Sequence, residues 1–233
     1  MMRYLLPVTT LALAGLAPMP AMAADRSDRT AEAQEENSTR TLYMTLIRQA
    51  RSDGRARAAL AYLDDFDRKY PSDSDARVLR VNCLLDLDQT EAARTAMERI
   101  PSNDRSGQAL AVRGHVLAAE GQWPQAAVQY AAALQASPAD AFITNALGYA
   151  RLRSGQTAEA VETLRAARDL VPDDMVVRNN LILALTLNGR LGEADAMMSG
   201  MTDAKAKAQL RQQVAGEVAR IAAAGGGKPS LGS

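Results

Sequence analysis

The segment EGQWPQAAVQYAAAL, residues 120–134, returns in altered form as SGQTAEAVETLRAAR, residues 154–168, a displacement of 34 residues. Other small residues keep the same interval. Gly121, Gly155 and Gly189 form one set, and Ala58, Ala92, Ala126, Ala160 and Ala194 a second. Pro138 and Pro172 form a third, and Gly114 and Gly148 a fourth. Coincident sets at one period mark a chain built from copies of one supersecondary unit, each needing its neighbours to bury its apolar face.

The residue types identify the unit. Gly121, Gly155 and Gly189 follow runs with helical spacing, such as Leu147, Ala150 and Leu152, and are placed to end a helix in the left-handed conformation. Pro124 and Thr157 come next, as a first-turn proline and an N-cap. A second helix therefore starts within three residues of the first one ending, and the two fold back as an antiparallel hairpin. The alanine column then lies where the helices cross, with Tyr62, Tyr130 and Leu164 in one later register and Ala133 and Ala167 in another. Pro138 and Pro172 stop the second helix. Aromatic residues make up only 4% of a chain that is 47% apolar, so the core is filled by Ala, Leu, Val and Met, and the predicted class is all-α.

This pattern resembles the tetratricopeptide repeat family. The resemblance rests on Leu110, Gly114, Ala126, Tyr130, Ala133 and Pro138 in residues 107–140, and on Leu147, Gly148, Ala160, Leu164, Ala167 and Pro172 in residues 141–174. Residues 175–208 keep Leu181, Gly189 and Ala194, with Ile182 in place of the glycine. Residues 39–72 and 73–106 depart further: Pro71 and Pro101 are off the period and Arg80 replaces the glycine. The expectation is an α-solenoid of about five hairpins over 39–224, ending in a capping helix from about Asp203 to Ala224. The polar stretch 24–38 reads as a flexible leader and the Gly-rich 225–233 as a disordered tail.

In this family the first helices line a concave groove for a peptide or a partner helix. Carried onto this sequence, the groove positions are Tyr43 and Ile47, Arg77 and Val81, Ala111 and His115, Asn145 and Tyr149, and Asn179 and Leu183. Asn145 and Asn179, one period apart, could pair with a bound backbone or bond only within their own hairpins. The basic clamp that some family members use for a terminal carboxylate does not recur at Tyr43, Arg77 and Ala111.

Chemistry at a site finds little support in the sequence. His115 is the only histidine, so a two-histidine metal centre is excluded and a Ser-His-Asp relay disfavoured. Cys83 is the only cysteine and reads as a buried small hydrophobe. Pro229 stands where a phosphate loop needs Ser or Thr. The charge balance of 27 basic and 27 acidic residues gives no footprint for nucleic acid. The expected function is a non-enzymatic adaptor without cofactor or metal, and the alternative is an auxiliary subunit of an envelope enzyme complex. Residues 107–200 also look like the TadD-type proteins of tight-adherence (Flp) pilus assembly, which implies a secretin or pilus component as partner. Members of that group are often lipoproteins, whereas no cysteine follows the cleavage site here.

That site closes a predicted signal peptide, residues 1–23: Arg3, an apolar run from Leu5 to Leu16, and Ala21-Met22-Ala23. The run is too short to span a bilayer, which takes about 20 residues, so a periplasmic protein is expected. Cleavage after Ala23 predicts Ala24 at the mature N-terminus. Mass spectrometry of native protein checks this, and an intact Met1 would refute export by this segment.

Overall fold

The computed structural model describes residues 21–201 and 203–224. Residues 1–20 of the predicted signal peptide and the tail 225–233 lie outside the described residues. Eleven helices and no strand occur among those described. They are α1 (Ala21–Ser52), α2 (Ala56–Lys69), α3 (Ser74–Leu85), α4 (Thr90–Met97), α5 (Gly107–Ala119) and α6 (Trp123–Ala136). There follow α7 (Ala141–Arg153), α8 (Thr157–Leu170), α9 (Met175–Leu187), α10 (Leu191–Ser199) and α11 (Ala204–Ala224). The order is five hairpins and a terminal helix, an all-α solenoid as expected.

The chain divides into two units, Met1–Thr45 and Leu46–Ser233. The described part of the first belongs to α1. Residues 24–38, read as a flexible leader, are helical there, and residues 31–38 are exposed. Ala, Glu, Arg and Gln supply nine of these fifteen residues and favour helix, while the sequence offers no apolar stripe. Ser38 and Thr39 hydroxyls donate back to the carbonyls of Gln34 and Glu35, within the same helix.

From α3 onward the first helix of each hairpin is capped, and none of the second helices is. Asp73, Ser106, Asp140 and Asp174 accept main-chain N–H bonds at the starts of α3, α5, α7 and α9. The second helices follow a residue of positive φ: Gly54, Asp88, Gly121, Gly155 and Gly189, with φ between 58° and 81°. The turn itself thus sets the direction of the second helix. Thr157, expected as an N-cap, sits one residue further in, as the first residue of α8, and its hydroxyl donates to Asn188 Oδ1 at 3.0 Å.

The positive-φ residues also show that the period is not uniform. Their intervals are 34, 33, 34 and 34. One residue is missing between Asp88 and Ser106, where α4 ends early at Met97. The small-residue column moves with it. Ala59, Ala93, Ala126, Ala160 and Ala194 are the buried alanines, whereas Ala92 is exposed and Ala58 only half-buried. The expected members Ala58 and Ala92 are therefore each off by one. In the same way Leu63, fully buried, replaces Tyr62, which is 37% exposed. Pro71 falls on the corrected period, 67 residues before Pro138, that is 34 plus 33.

Close approach explains the small residues. A Cβ at Gly148 would come within 2.6 Å of Leu164 Cγ, and one at Gly114 within 2.6 Å of Tyr130 Cε1. First and second helices therefore interlock at these positions, with Ala126 and Ala160 fully buried one turn away from the same large side chains. The shifted column predicts that Ala93→Leu costs about 1–3 kcal/mol by overpacking. Ala92→Leu should change stability by no more than about 0.5 kcal/mol, as on open surface. Urea unfolding of the two variants checks this, and equal effects would refute the register.

Candidate partner-binding groove

Residues three and seven apart share a face of a helix. On α7 that face holds Phe142, Asn145 and Tyr149, on α9 Val176, Asn179 and Leu183, and on α5 Gln108, Ala111 and His115. Because of the missing residue, its counterpart on α3 is Asp75, Val78 and Asn82, in place of the Arg77 and Val81 that a strict period predicts. Arg77 instead donates to the carbonyls of Arg99 at 2.9 Å and Pro71 at 3.2 Å, tying α3 to its own hairpin. Val81 is fully buried in a cluster with Ala93, Val112 and Val116. Ile47 is also fully buried, and the same shift puts Arg48, which is exposed, on the face in its place. Tyr43 belongs to the first unit and is half-buried.

The N-terminal half of this wall forms a cleft of about 320 Å³ lined by Arg48, Asn82, Gln108, His115 and Phe142 among others. Its polar groups are tied across hairpins. Arg51 makes a bidentate pair with Asp86, Nε to Oδ2 at 2.6 Å and a terminal nitrogen to Oδ1 at 3.1 Å. His115 Nδ1 lies 3.1 Å from Asn82 Oδ1, and its ring is 5.5 Å from that of Tyr130. Burial, helped by the positive charge of Arg51, pushes the His115 pKa down to about 4. The imidazole is neutral at pH 7, and Nδ1–H donates to the asparagine oxygen. Burial pushes the Cys83 thiol up to about 11, consistent with an unreactive core position. Phe142 is 72% exposed at the edge of the cleft.

The C-terminal half brings Asn145, Tyr149, Asn179 and Leu183 onto one wall, but the asparagines pair differently from the sequence expectation. Asn180 Nδ2 donates to Asn145 Oδ1 at 2.9 Å. Asn179 Oδ1 is inaccessible to solvent and accepts no hydrogen bond among the described residues. Tyr149 OH donates to Glu217 Oε1 of α11 at 2.8 Å, and Arg153 donates to Tyr149 OH at 3.3 Å. Arg153 stacks over the Trp123 ring at 4.3 Å, and Trp123 meets Tyr149 edge-on at 5.7 Å. Leu183 is buried with Leu210 and Val214 of α11.

Sequence reasoning missed Arg48, Val78, Asn82, Asn180 and Glu217. A strict period of 34 hid the first three. Gly54 and Asp88 as helix-ending residues would have revealed the shift, since Asp tolerates the left-handed conformation. Among the described residues no group of three or more His, Cys, Asp or Glu side chains is placed to hold a metal, and no helix is long and apolar enough to cross a membrane.

Family models described as tetratricopeptide repeat match residues 50–115, 112–174 and 145–196. No curated protein sequence matches the chain. Solved structures do, at low identity. TTC0263, a thermophilic repeat protein of Thermus thermophilus, superposes with a TM-score of 0.63 at 21% identity, covering 76% of this chain and 97% of its own. PilF of Pseudomonas aeruginosa gives 0.62 at 16% identity, covering 84% and 96%. YrrB, a repeat protein with an unusual peptide-binding site, gives 0.54 at 18% identity, covering 78% and 97%. These likenesses concern the fold.

His115 makes the wall sensitive to acid. Its folded pKa of about 4 lies below the ordinary value of 6.5. The unfolded chain therefore binds more protons between the two, and the stability this histidine contributes is full above about pH 6.5 and lost as pH falls through 4. As the only histidine, its ring protons give an unambiguous NMR titration. A midpoint near 4 is expected, with a lower urea midpoint at pH 4.5 than at pH 7. A midpoint near 6.5 would contradict the burial of this ring.

Proposed function

The chain belongs to the tetratricopeptide repeat family, and from that premise we propose that it is an exported adaptor that holds a peptide or helix of an envelope protein in its first-helix groove. The observation that carries this reading is the cleft of Arg48, Asn82, Gln108 and His115 with Phe142 standing 72% exposed at its edge. An aromatic anchor beside fixed polar groups is the composition of a binding hot spot. Polar contacts already made between hairpins hold the wall in shape, so a partner pays little to order it. Of the groove positions read from sequence, His115, Asn145, Tyr149, Asn179 and Leu183 remain in the proposed site, with Arg48 and Asn82 added.

Export rests on the charged, apolar and small-x-small order of residues 1–23, and the envelope role on the likeness of residues 107–200 to TadD-type pilus-assembly proteins. A secretin or pilus component is the partner this implies. The lack of a cysteine after Ala23 favours a second reading, a general periplasmic repeat protein serving another outer-membrane, cell-wall or polysaccharide-export machine.

A photo-crosslinking residue placed at Phe142 in the native host tests the groove, with Val128 of α6, 65% exposed on a second helix, as the control. Adducts with an envelope protein are expected from position 142 and not from 128. Phe142→Ala should then weaken that partner about tenfold or more, because burying a Phe contributes about 1.5–3 kcal/mol. Adducts from 128 alone would move the binding face to the second helices.

A further inference from the structure

The C-terminal half of the groove wall carries an occupant from the chain itself. α11 follows α10 after residues 200–203, and Asp203 caps it by accepting from the N–H groups of Lys205 and Ala206. Its covered side chains, Leu210, Val214, Glu217, Val218 and Ile221, follow a spacing of i, i+4, i+7, i+8 and i+11, one stripe of a helix. Leu210 and Val214 pack with Leu183, and Tyr149 and Val218 lie against the same cluster. Glu217, with 13% of its side chain exposed, receives Tyr149 OH at 2.8 Å and lies 3.5 Å from Arg153 and 2.5 Å from Arg220. Beyond covering the end of the stack, α11 lies on the first-helix face of α9 and reaches back to α7.

Its attachment is lighter than that of the helices beneath it. α9 buries Val177 and the whole run from Leu181 to Leu185, whereas α11 buries only Leu210 and Val214 among its described side chains. Gly216, exposed in mid-helix, weakens α11 relative to alanine there. The fit to the wall is also incomplete. A cavity of about 400 Å³ remains, lined by Asn179, Asn180, Gln213 and Arg220 among others, and Asn179 Oδ1 stays without a donor beside it.

We infer that the α7–α9 wall is a docking site for an amphipathic partner helix bearing a glutamate among aliphatic residues in the pattern of Leu210, Val214, Glu217 and Val218, and that α11 is the resident such a helix displaces. The inference rests on the groove being the binding face. Each feature of the resident specifies the visitor. Arg153, held by the Trp123 ring, and Tyr149 OH together read a carboxylate. Leu183 and its neighbours take the aliphatic stripe. The space beside Asn179 is left unfilled by α11, so a helix with a larger side chain at that point fits better than the resident does. A covered wall lowers the apparent affinity of any visitor by the fraction of time the wall is clear, which screens out helices that match it less well.

The test uses the full chain and, as probe, a fluorescent synthetic peptide of residues 203–224. Glu217→Lys in the chain puts a positive charge against Arg153 and should free the wall without altering α7 or α9. The wild-type peptide should bind that variant at least tenfold more tightly than it binds the wild-type chain, and the peptide carrying Glu217→Lys should bind neither. Circular dichroism and urea unfolding confirm that the stack persists in the variant. Hydrogen exchange on the unaltered chain gives an independent readout: amides of α11 should exchange at least tenfold faster than those of α9. Equal protection of α11 and α9 would make α11 a fixed part of the stack and overturn the inference, as would equal peptide affinity for both chains. Dimers of the wild-type chain that dissociate on Glu217→Lys would assign the wall to a second copy's α11 and overturn the partner assignment. None of these measurements depends on export or on the crosslinked partner, so their failure is distinguishable from failure of the adaptor reading.

Discussion

The two central hairpins, α5–α6 and α7–α8, depend on helix backbones coming close enough to interlock. At Gly148 there is no room for even a Cβ beside Leu164, and at Gly114 none beside Tyr130. Such approach is possible only where one helix presents a glycine and the other a large side chain that fills the gap. Once the hairpin is closed in this way, its outer surfaces are apolar and can be covered only by the next hairpin. The stack, the exposure of one face of each first helix, and the need to finish the last hairpin with α11 all follow from that local contact.

That contact was largely legible in the sequence, because backbone proximity restricts residue type more severely than any other requirement in this chain. Gly114, Gly148, Ala126 and Ala160 gave the period, and the period gave the hairpins. It misled at one place. A single residue absent between Asp88 and Ser106 moved every earlier position by one, so Ala92, Tyr62, Val81 and Ile47 were each assigned the environment of a neighbour. Alanine pairs at 58–59 and 92–93 hid the shift, since either member looks acceptable at a crossing. Only the turn conformation of Asp88 removes the ambiguity, and aspartate there is less conspicuous in sequence than glycine.

The groove was less legible than the fold because its chemistry lies between repeats. Asn145 with Asn180 and Arg51 with Asp86 are each 35 residues apart and join one first helix to the next, while Asn82 and His115, 33 apart, become equivalent only after the one-residue shift. A periodic reading aligns equivalent positions, 34 apart, and is blind to pairs that bridge inequivalent ones. These bridges alter what the wall can offer. An asparagine that already holds its neighbour supplies fewer unpaired groups to a ligand, and its main effect is to fix the wall's shape. Recognition then falls to the exposed groups, Phe142 and Arg48.

The terminal helix illustrates how a repeat protein couples stability to selectivity. A stack of hairpins must end on something that shields its last apolar face, and Leu210 and Val214 do this for Leu183 and its neighbours. A helix stacked squarely as a further repeat would have buried a continuous run, as α9 does. α11 instead extends over the groove to Tyr149 and Arg153, exchanging apolar burial for one shielded carboxylate. Interactions of that kind depend on geometry and charge more than on area. A competitor with the same carboxylate and a better match at Asn179 can therefore replace α11 without requiring a larger interface, while one lacking the carboxylate would leave Arg153 and Tyr149 without their partner and be rejected.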